Sequence, residues 1–337
     1  MHAYLNTRVS LFSGQLWAPG AFDKLSTQPA ETVRTTLREM GLAFLAPVQE
    51  PAETLSLEAK ITLKLLEEAR ILLRPLRAMP RQFLLYWLER FEISNIKTLI
   101  RAKLVHEKAA AIAPRLADLG PFARLDMATL AHVEDVDELL HRLESGPYSV
   151  IARNARNAFE DSRDPFMLDA TLDRTYYEGL ARMGHTLESE AGHPFHDLMA
   201  NLMDRINLIW LLRYRFNYNL PPAQVYFLLP AMGYRISDAL LKDLVALPNI
   251  DAVLDMLPPS IRKKLDTARS IPTIAMQMEQ DAARTGRRVV ASSAHVLARC
   301  FAYLIVRERD LRRARALSRG HHLGLGPDSR LAAMGNL

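Results

Sequence analysis

Residues 93–104 constrain this chain more than any other stretch, because ISNIKTLIRAKL returns 112 positions later as RINLIWLLRYRF. Asn95 falls on Asn207, Ile96 on Leu208, Leu99 on Leu211, Ile100 on Leu212, Arg101 on Arg213, Lys103 on Arg215 and Leu104 on Phe216. Apolar residues recur in any amphipathic helix, but an Asn and two cations do not stay in register without a shared ancestor or a shared task. A fainter copy, LRRARALSRGHH, lies 106 positions further on, with Ala314, Leu317, Arg319 and His321 in the matching places and Arg313 in the Asn position. An internal repeat is the signature of repeated structural units. The chain is therefore expected to be three copies of one unit, spanning 1–106, 107–218 and 219–337.

The pattern inside each unit predicts an all-α fold. Apolar residues recur at three and four rather than two, and short alternating runs are absent. Pro29 opens a helix carrying Val33 and Leu37, and residues 42–51 form a connection rich in Pro and Ala. Ser56, Leu57 and Glu58 begin a long helix with Ile61, Leu65 and Leu72 on its apolar face. Pro75 and Pro80 must end or kink it, since each ring removes a backbone donor. Phe83, Leu84, Trp87 and Leu88 then lead into the first signature. Leu130, Val136, Leu139, Leu140 and Leu143 match Leu244, Ile250, Val253, Leu254 and Leu257 at an offset of 114, which places small helices before each signature. Glu134 and Asp135, and in the second copy Pro248 and Asn249, stand at the entry of those helices, where acidic, Pro or capping residues are favoured, and Asp164 is positioned to cap the next one. A long helical pair follows in each unit, over 55–90, 165–205 and 271–309.

On a helical wheel Ile96, Leu99, Ile100 and Leu104 span roughly 140°, the width of a core-facing stripe, with Asn95 and Arg101 on its flanks. Lys103 lies inside that arc, so it must snorkel or mark where the helix leaves the core. Two readings follow. Asn95 and Asn207 bond between neighbouring helices while Arg101 and Arg213 pair with surface acids, or three equivalent helix ends converge and present Lys103, Arg215 and His321 as a cationic collar to a partner.

Other clusters are weaker. His185, His193 and His196 lie near Glu188 and Glu190, but their spacing fits helix starts and surface positions better than metal ligation, and no HExxH occurs. His321 and His322 follow Gly320 at a helix end, where C-cap chemistry explains them. The Gly320–Gly326 run lacks the Lys-Ser or Lys-Thr ending of a phosphate loop. Six arginines from Arg307 to Arg319 surround one helix and admit three readings: a solvated face with local ion pairs, a surface for an acidic protein or lipid headgroups, or an RNA contact. RNA contacts bring stacking aromatics, which this run lacks. Tyr176, Tyr177 and Trp210 read as core, with an interface role for Tyr177 as the alternative. The single cysteine, Cys300, excludes an internal disulfide and reads as a packed thiol. No paired carboxylates, nucleophile arrangement or metal spacing supports an enzyme, and no cofactor is implied. The N-terminus lacks the basic start and apolar run of a secretory signal, and no stretch approaches a membrane span, so a cytoplasmic chain is expected.

The stretches AYLNTRVSLFSGQLW, LDATLDRTYYEGL, FEISNIKTLIRAKL, NLIWLLRYRF and YLIVRERDLRRARALSRGHHLGL, in this order, resemble the C subunit of the archaeal and bacterial A/V-type ATPases, known as the d subunit in the eukaryotic V-ATPase. The likeness covers nearly the whole chain and rests on the order and spacing of its motifs. It implies three similar helical domains in a pseudo-threefold, funnel-like arrangement. It also implies a non-catalytic rotor component that joins the central stalk to the membrane ring and associates with the membrane through those partners. No nucleic acid and no homo-oligomer are called for. The partner-binding candidates are Asn95, Arg101, Lys103, Asn207, Arg213, Arg215, Arg313, Arg319 and His321. A helical-repeat scaffold binding an acidic protein or RNA is the alternative.

Overall fold

The computed structural model describes residues 2–45, 57–265 and 267–335, and these form helices with no strand among them. The chain is all-α, as its periodicity requires. Ser56, at the expected start of the first long helix, and residues 46–51 of the expected connection lie outside the described residues.

The chain opens with small helices, α1 (His2–Ser13), α2 (Ala21–Ser26) and α3 (Ala30–Glu39), and continues into its first long pair, α4 (Leu57–Leu73) and α5 (Ala78–Leu104). Pro75 sits in the turn between the two, and Pro80 occupies the first turn of α5, where its missing N–H has no bond to make. Short helices α6 (Ala109–Ile112), α7 (Met127–Ala131) and α8 (Val136–Glu144) and the longer α9 (Ser149–Ser162) lead to α10 (Pro165–Leu212). Asp126, Asp135, Ser237 and Asn249 accept N-terminal amide bonds at the starts of α7, α8 and two later helices, and the Asp164 carboxylate accepts the Phe166 N–H at the start of α10.

The 48 residues of α10 are a hairpin and not one rod. Tyr177 and Trp210 would stand roughly 50 Å apart along a straight helix, yet their rings meet at 5.6 Å. Phe166 and Tyr214 likewise meet at 5.3 Å. The reversal occurs at Gly192, whose φ of 74° and ψ of 176° break the helix without a loop. Only glycine fits: the backbone lies in the left-handed half of the map, and a Cβ would come within 2.6 Å of His295 Nε2. Pro194 then opens the returning arm, residues 193–212. Beyond a π turn at Arg213–Asn217 come α11 (Pro222–Leu228), α12 (Asp238–Leu244), α13 (Ile250–Met256) and α14 (Pro259–Arg262), then the third long pair, α15 (Ile271–Ser292) and α16 (Val296–His322), and finally α17 (Pro327–Gly335).

The core joins the three pairs. Phe83, Phe195 and Phe301 meet with centroids 5.0, 5.0 and 5.9 Å apart, all three fully buried. Their spacings are the same 112 and 106 residues that separate the signatures. Edge-to-face rings supply packing beyond their area, and Trp87 adds a fourth ring at 5.6 Å from Phe301. Cys300 is buried beside them, and burial pushes its thiol up to about 12, which fits the packed thiol. A second apolar cluster lies under the end of α10, where Leu208, Leu211 and Leu212 meet Val225, Leu241 and Val253. The N-terminal helices pack on the far end of the chain: α1, α2 and α3 all touch α16, and α2 touches α17.

Candidate functional site

The signature stretches occupy the last turns of α5, the returning arm of α10 and α16, and each is held to a neighbouring segment by polar bonds. At the end of α5, Glu92 is buried; its Oε1 accepts the N–H groups of Arg124 (2.9 Å) and Leu125 (3.0 Å), and its Oε2 accepts the Tyr148 hydroxyl at 2.6 Å. One turn later Asn95 uses both ends of its amide on Ala117, donating from Nδ2 to the carbonyl at 2.8 Å and accepting the N–H at Oδ1 at 2.9 Å. In the final turn Lys103, 6% exposed, donates from Nζ to the Ala131 carbonyl at 2.7 Å, where α7 ends.

At the end of α10 the same places hold Asp204, Asn207 and Arg215. Asp204 accepts the Ile236 N–H at 3.1 Å and Arg235 Nε at 2.6 Å. Burial pushes its carboxyl above the ordinary range, against the pull of Arg235. Arg215 Nε donates to the Val245 carbonyl at 2.7 Å, just past α12, and its Nη1 to the Leu220 carbonyl at 2.9 Å. Asn207, wholly buried, has no partner for either amide atom among the described residues. The expected pair of interhelical Asn bonds therefore differs from what is found: Asn95 reaches a connecting segment, and Asn207 reaches nothing among the described residues.

At the end of α16 the places hold Asp310, Arg313 and His321. Asp310 accepts the Trp17 N–H at 3.0 Å and pairs with Arg287 at 2.9 Å. Burial again pushes its carboxyl up. Arg313 lies 4.7 Å over the Phe22 ring and 3.3 Å from Asp23 Oδ1. An imidazole N–H of His321 donates to the Leu25 carbonyl in α2, and its Nε2 sits 2.9 Å from Arg330 Nη1. Burial and the Arg330 charge lower its pKa, so the ring is a neutral acceptor toward Arg330. This reach across to α2 replaces the simple C-cap role expected of His321.

Lys103, Arg215 and His321 thus spend their polar atoms inside the molecule, on the carbonyls of Ala131, Val245 and Leu25. Arg101, Arg213 and Arg319, the other repeated cation, are exposed. Arg101 is 62% exposed and pairs with Asp169, as expected of a surface cation; Arg213 and Arg319 have no ion pair among the described residues. The arginine run on α16 is not uniformly solvated. Arg307 is fully buried, with its guanidinium on the Glu68 carboxylate and on the Gln15 carbonyl, because its face of α16 points at α4. Tyr177 is half-buried, with its ring against Tyr176 and Trp210.

Glu92, Asp204 and Asp310 are the residues that a search for apolar stripes and cations passes over. The signal is present: each lies three positions before the Asn place, at the repeat offsets of 112 and 106. The histidine cluster is a local bridge. His185 and His196 share Glu188 at 2.9 and 3.2 Å across the Gly192 reversal, and no group of three metal ligands occurs among the described residues. No described helix is long and apolar enough to cross a membrane.

Comparison with known proteins adds a family to this geometry. The pattern of the ATP synthase (C/AC39) subunit family matches residues 5–331. The chain is similar to the C subunit of the A-type ATP synthase of Methanocaldococcus jannaschii, 21% identical over 97% of this chain and 84% of the relative. It is similar to proteins of the same name from Halorubrum lacusprofundi, 24% identical over 72% of this chain and 70% of the relative, and Methanothermobacter thermautotrophicus, 26% identical over 50% and 44%.

Proposed function

The chain belongs to the ATP synthase (C/AC39) subunit family, and from that premise we propose that it is a non-catalytic coupling component of a rotary A/V-type ATPase, a socket between the central stalk and the membrane ring. ATP chemistry belongs to other subunits, and this one transmits torque for proton or sodium transport. It works at the cytoplasmic face, peripheral to the membrane and attached through its partners.

The observation that carries this reading is the repeated fastening of the long-helix ends. A coupler must not yield under torque, and close-packed helices resist bending better than loops do. The ends of α5 and α10 are bonded at an acid and at a cation to segments that follow them, and the end of α16 is bonded to the first part of the chain, at Trp17 and Leu25. This closure, together with the three phenylalanines in mutual contact, supports three units in a pseudo-threefold ring, with joints near residues 106 and 218. Of the nine candidate contacts, the exposed Arg101, Arg213 and Arg319 are assigned to the partner, Asn95, Lys103, Arg215, Arg313 and His321 to holding the frame that displays them, and Asn207 to neither.

The test is to tag the chain, isolate it from native membranes in mild detergent and identify what copurifies. Central-stalk and membrane-ring subunits in stoichiometric amounts are expected. Recovery of neither, from a preparation that contains assembled ATPase, overturns the assignment.

A further inference from the structure

The long helices α5, α10, α15 and α16 enclose a cavity of about 90 Å³ on whose wall Arg90, Arg205, Arg309 and Arg312 face only two carboxylates, Glu279 and Glu308. Both carboxylates are already engaged. Glu308 takes Arg90 at 2.5 Å and Arg312 at 2.7 Å. Burial pushes its carboxyl up, but Arg312 and Arg90 outweigh burial and hold it down at about 2, so it stays charged. Glu279 Oε1 lies 3.2 Å from Arg309 Nε, yet that N–H is buried without an aligned hydrogen bond. Arg205 has no ion pair among the described residues. Two positive charges are left over in a small space, with guanidinium donors of Arg205 and Arg309 unused on its two sides.

We propose that this cavity is a binding site for a free tetrahedral oxyanion of the phosphate or sulfate class. The charge is right, since a doubly charged anion balances the two unmatched guanidiniums. Arginine is the fitting donor, because its planar fork presents paired N–H groups to such oxygens. Size selects the class: a space of this volume holds one oxyanion or a few waters, and it has no room for a nucleotide or for a helix of a partner. The bound anion would tie α10, through Arg205, to α16, through Arg309, at a point where no direct ion pair joins them among the described residues. This assignment does not depend on the rotor reading, because it concerns the isolated chain and a free ion.

The test is calorimetric titration of the purified full chain with phosphate, and separately with sulfate, in chloride buffer of matched ionic strength. Saturable binding near one ion per chain is expected. Arg205→Gln should weaken it at least about tenfold, the loss expected for one charge-assisted hydrogen bond. Ala282→Leu should weaken it comparably by filling the cavity while leaving every charge in place, which guards against an uninformative fold defect in the first variant. Lys242→Gln, at an exposed cation on α12 away from the cavity, should titrate like the unaltered chain. Absence of saturable heat, or equal affinity in all four proteins, overturns the proposal.

Discussion

The ends of α5 and α10 carry the same signature and are not held in the same way. At α5 the acid, the amide and the cation are all satisfied, by Arg124, Leu125 and Tyr148, by Ala117, and by Ala131. At α10 the acid and the cation repeat their bonds, while Asn207 sits buried with both amide atoms unpaired among the described residues. A second difference lies two residues before the acid: Arg90 on α5 binds Glu308, whereas Leu202 takes the equivalent place on α10. A repeated residue therefore does not guarantee a repeated bond. The acid and cation positions define the shared fastening, and the amide position serves the first end alone.

The largest effects should come from the acids. Glu92→Ala leaves the buried Tyr148 hydroxyl and two part-buried N–H groups unpaired and should destabilise the fold by roughly 3–5 kcal/mol, more than Asp204→Ala, which leaves Arg235 partly exposed to solvent. Chemical denaturation of both variants measures this, and the reverse ranking would mean that the α10 end is the tighter of the two. Acid should loosen the first end next. Glu308 has a folded pKa of about 2 against an ordinary 4.5, so its contribution is fully present above the ordinary value and is lost as pH falls toward about 2. That is of the order of 3 kcal/mol. The stability gap between the unaltered chain and Glu308→Gln should therefore narrow over that window, and a gap independent of pH would detach Glu308 from the pairing with Arg90.

The amide comparison predicts a change of sign. Asn95→Leu strands both backbone groups of Ala117 and should destabilise by about 2 kcal/mol, whereas Asn207→Leu removes two unpaired polar atoms at similar volume and should be neutral or stabilising. Equal losses in thermal unfolding would show that Asn207 is satisfied after all. Smallest in stability is the surface pair. Arg101→Glu and Arg213→Glu should each shift folding by less than about 1 kcal/mol, yet uncouple ATP hydrolysis from ion pumping in the assembled complex. Unchanged coupling and assembly in both would remove these positions from the partner contact.

Local features are legible in the chain because their causes are local. Asp135, Asn249 and Asp164 cap helices at entries where acidic or capping residues are favoured, and the offset of 112 pairs Glu92 with Asp204 and Lys103 with Arg215, each bonded to a segment that follows it. The reversal at Gly192 is less legible, since one glycine inside a helical pattern reads as a weak spot, and only the close approach of His295 makes it obligatory. Lys103 and Arg215 are recognisable as repeated cations, but not as inward donors, because their acceptors at Ala131 and Val245 lie 28 and 30 residues away. Arg307 needs Glu68, 239 residues distant, before its complete burial makes sense.

Trp17 and Asp310 are bonded across 293 residues, and this gives the molecule a schedule. A ribosome adding roughly 5–20 residues per second delivers Asp310 about 15–60 s after Trp17. Until then Leu5, Val9 and Phe22 lack the helix that covers them. Helices α1 to α3 are made long before α16, yet they find their place only when it arrives.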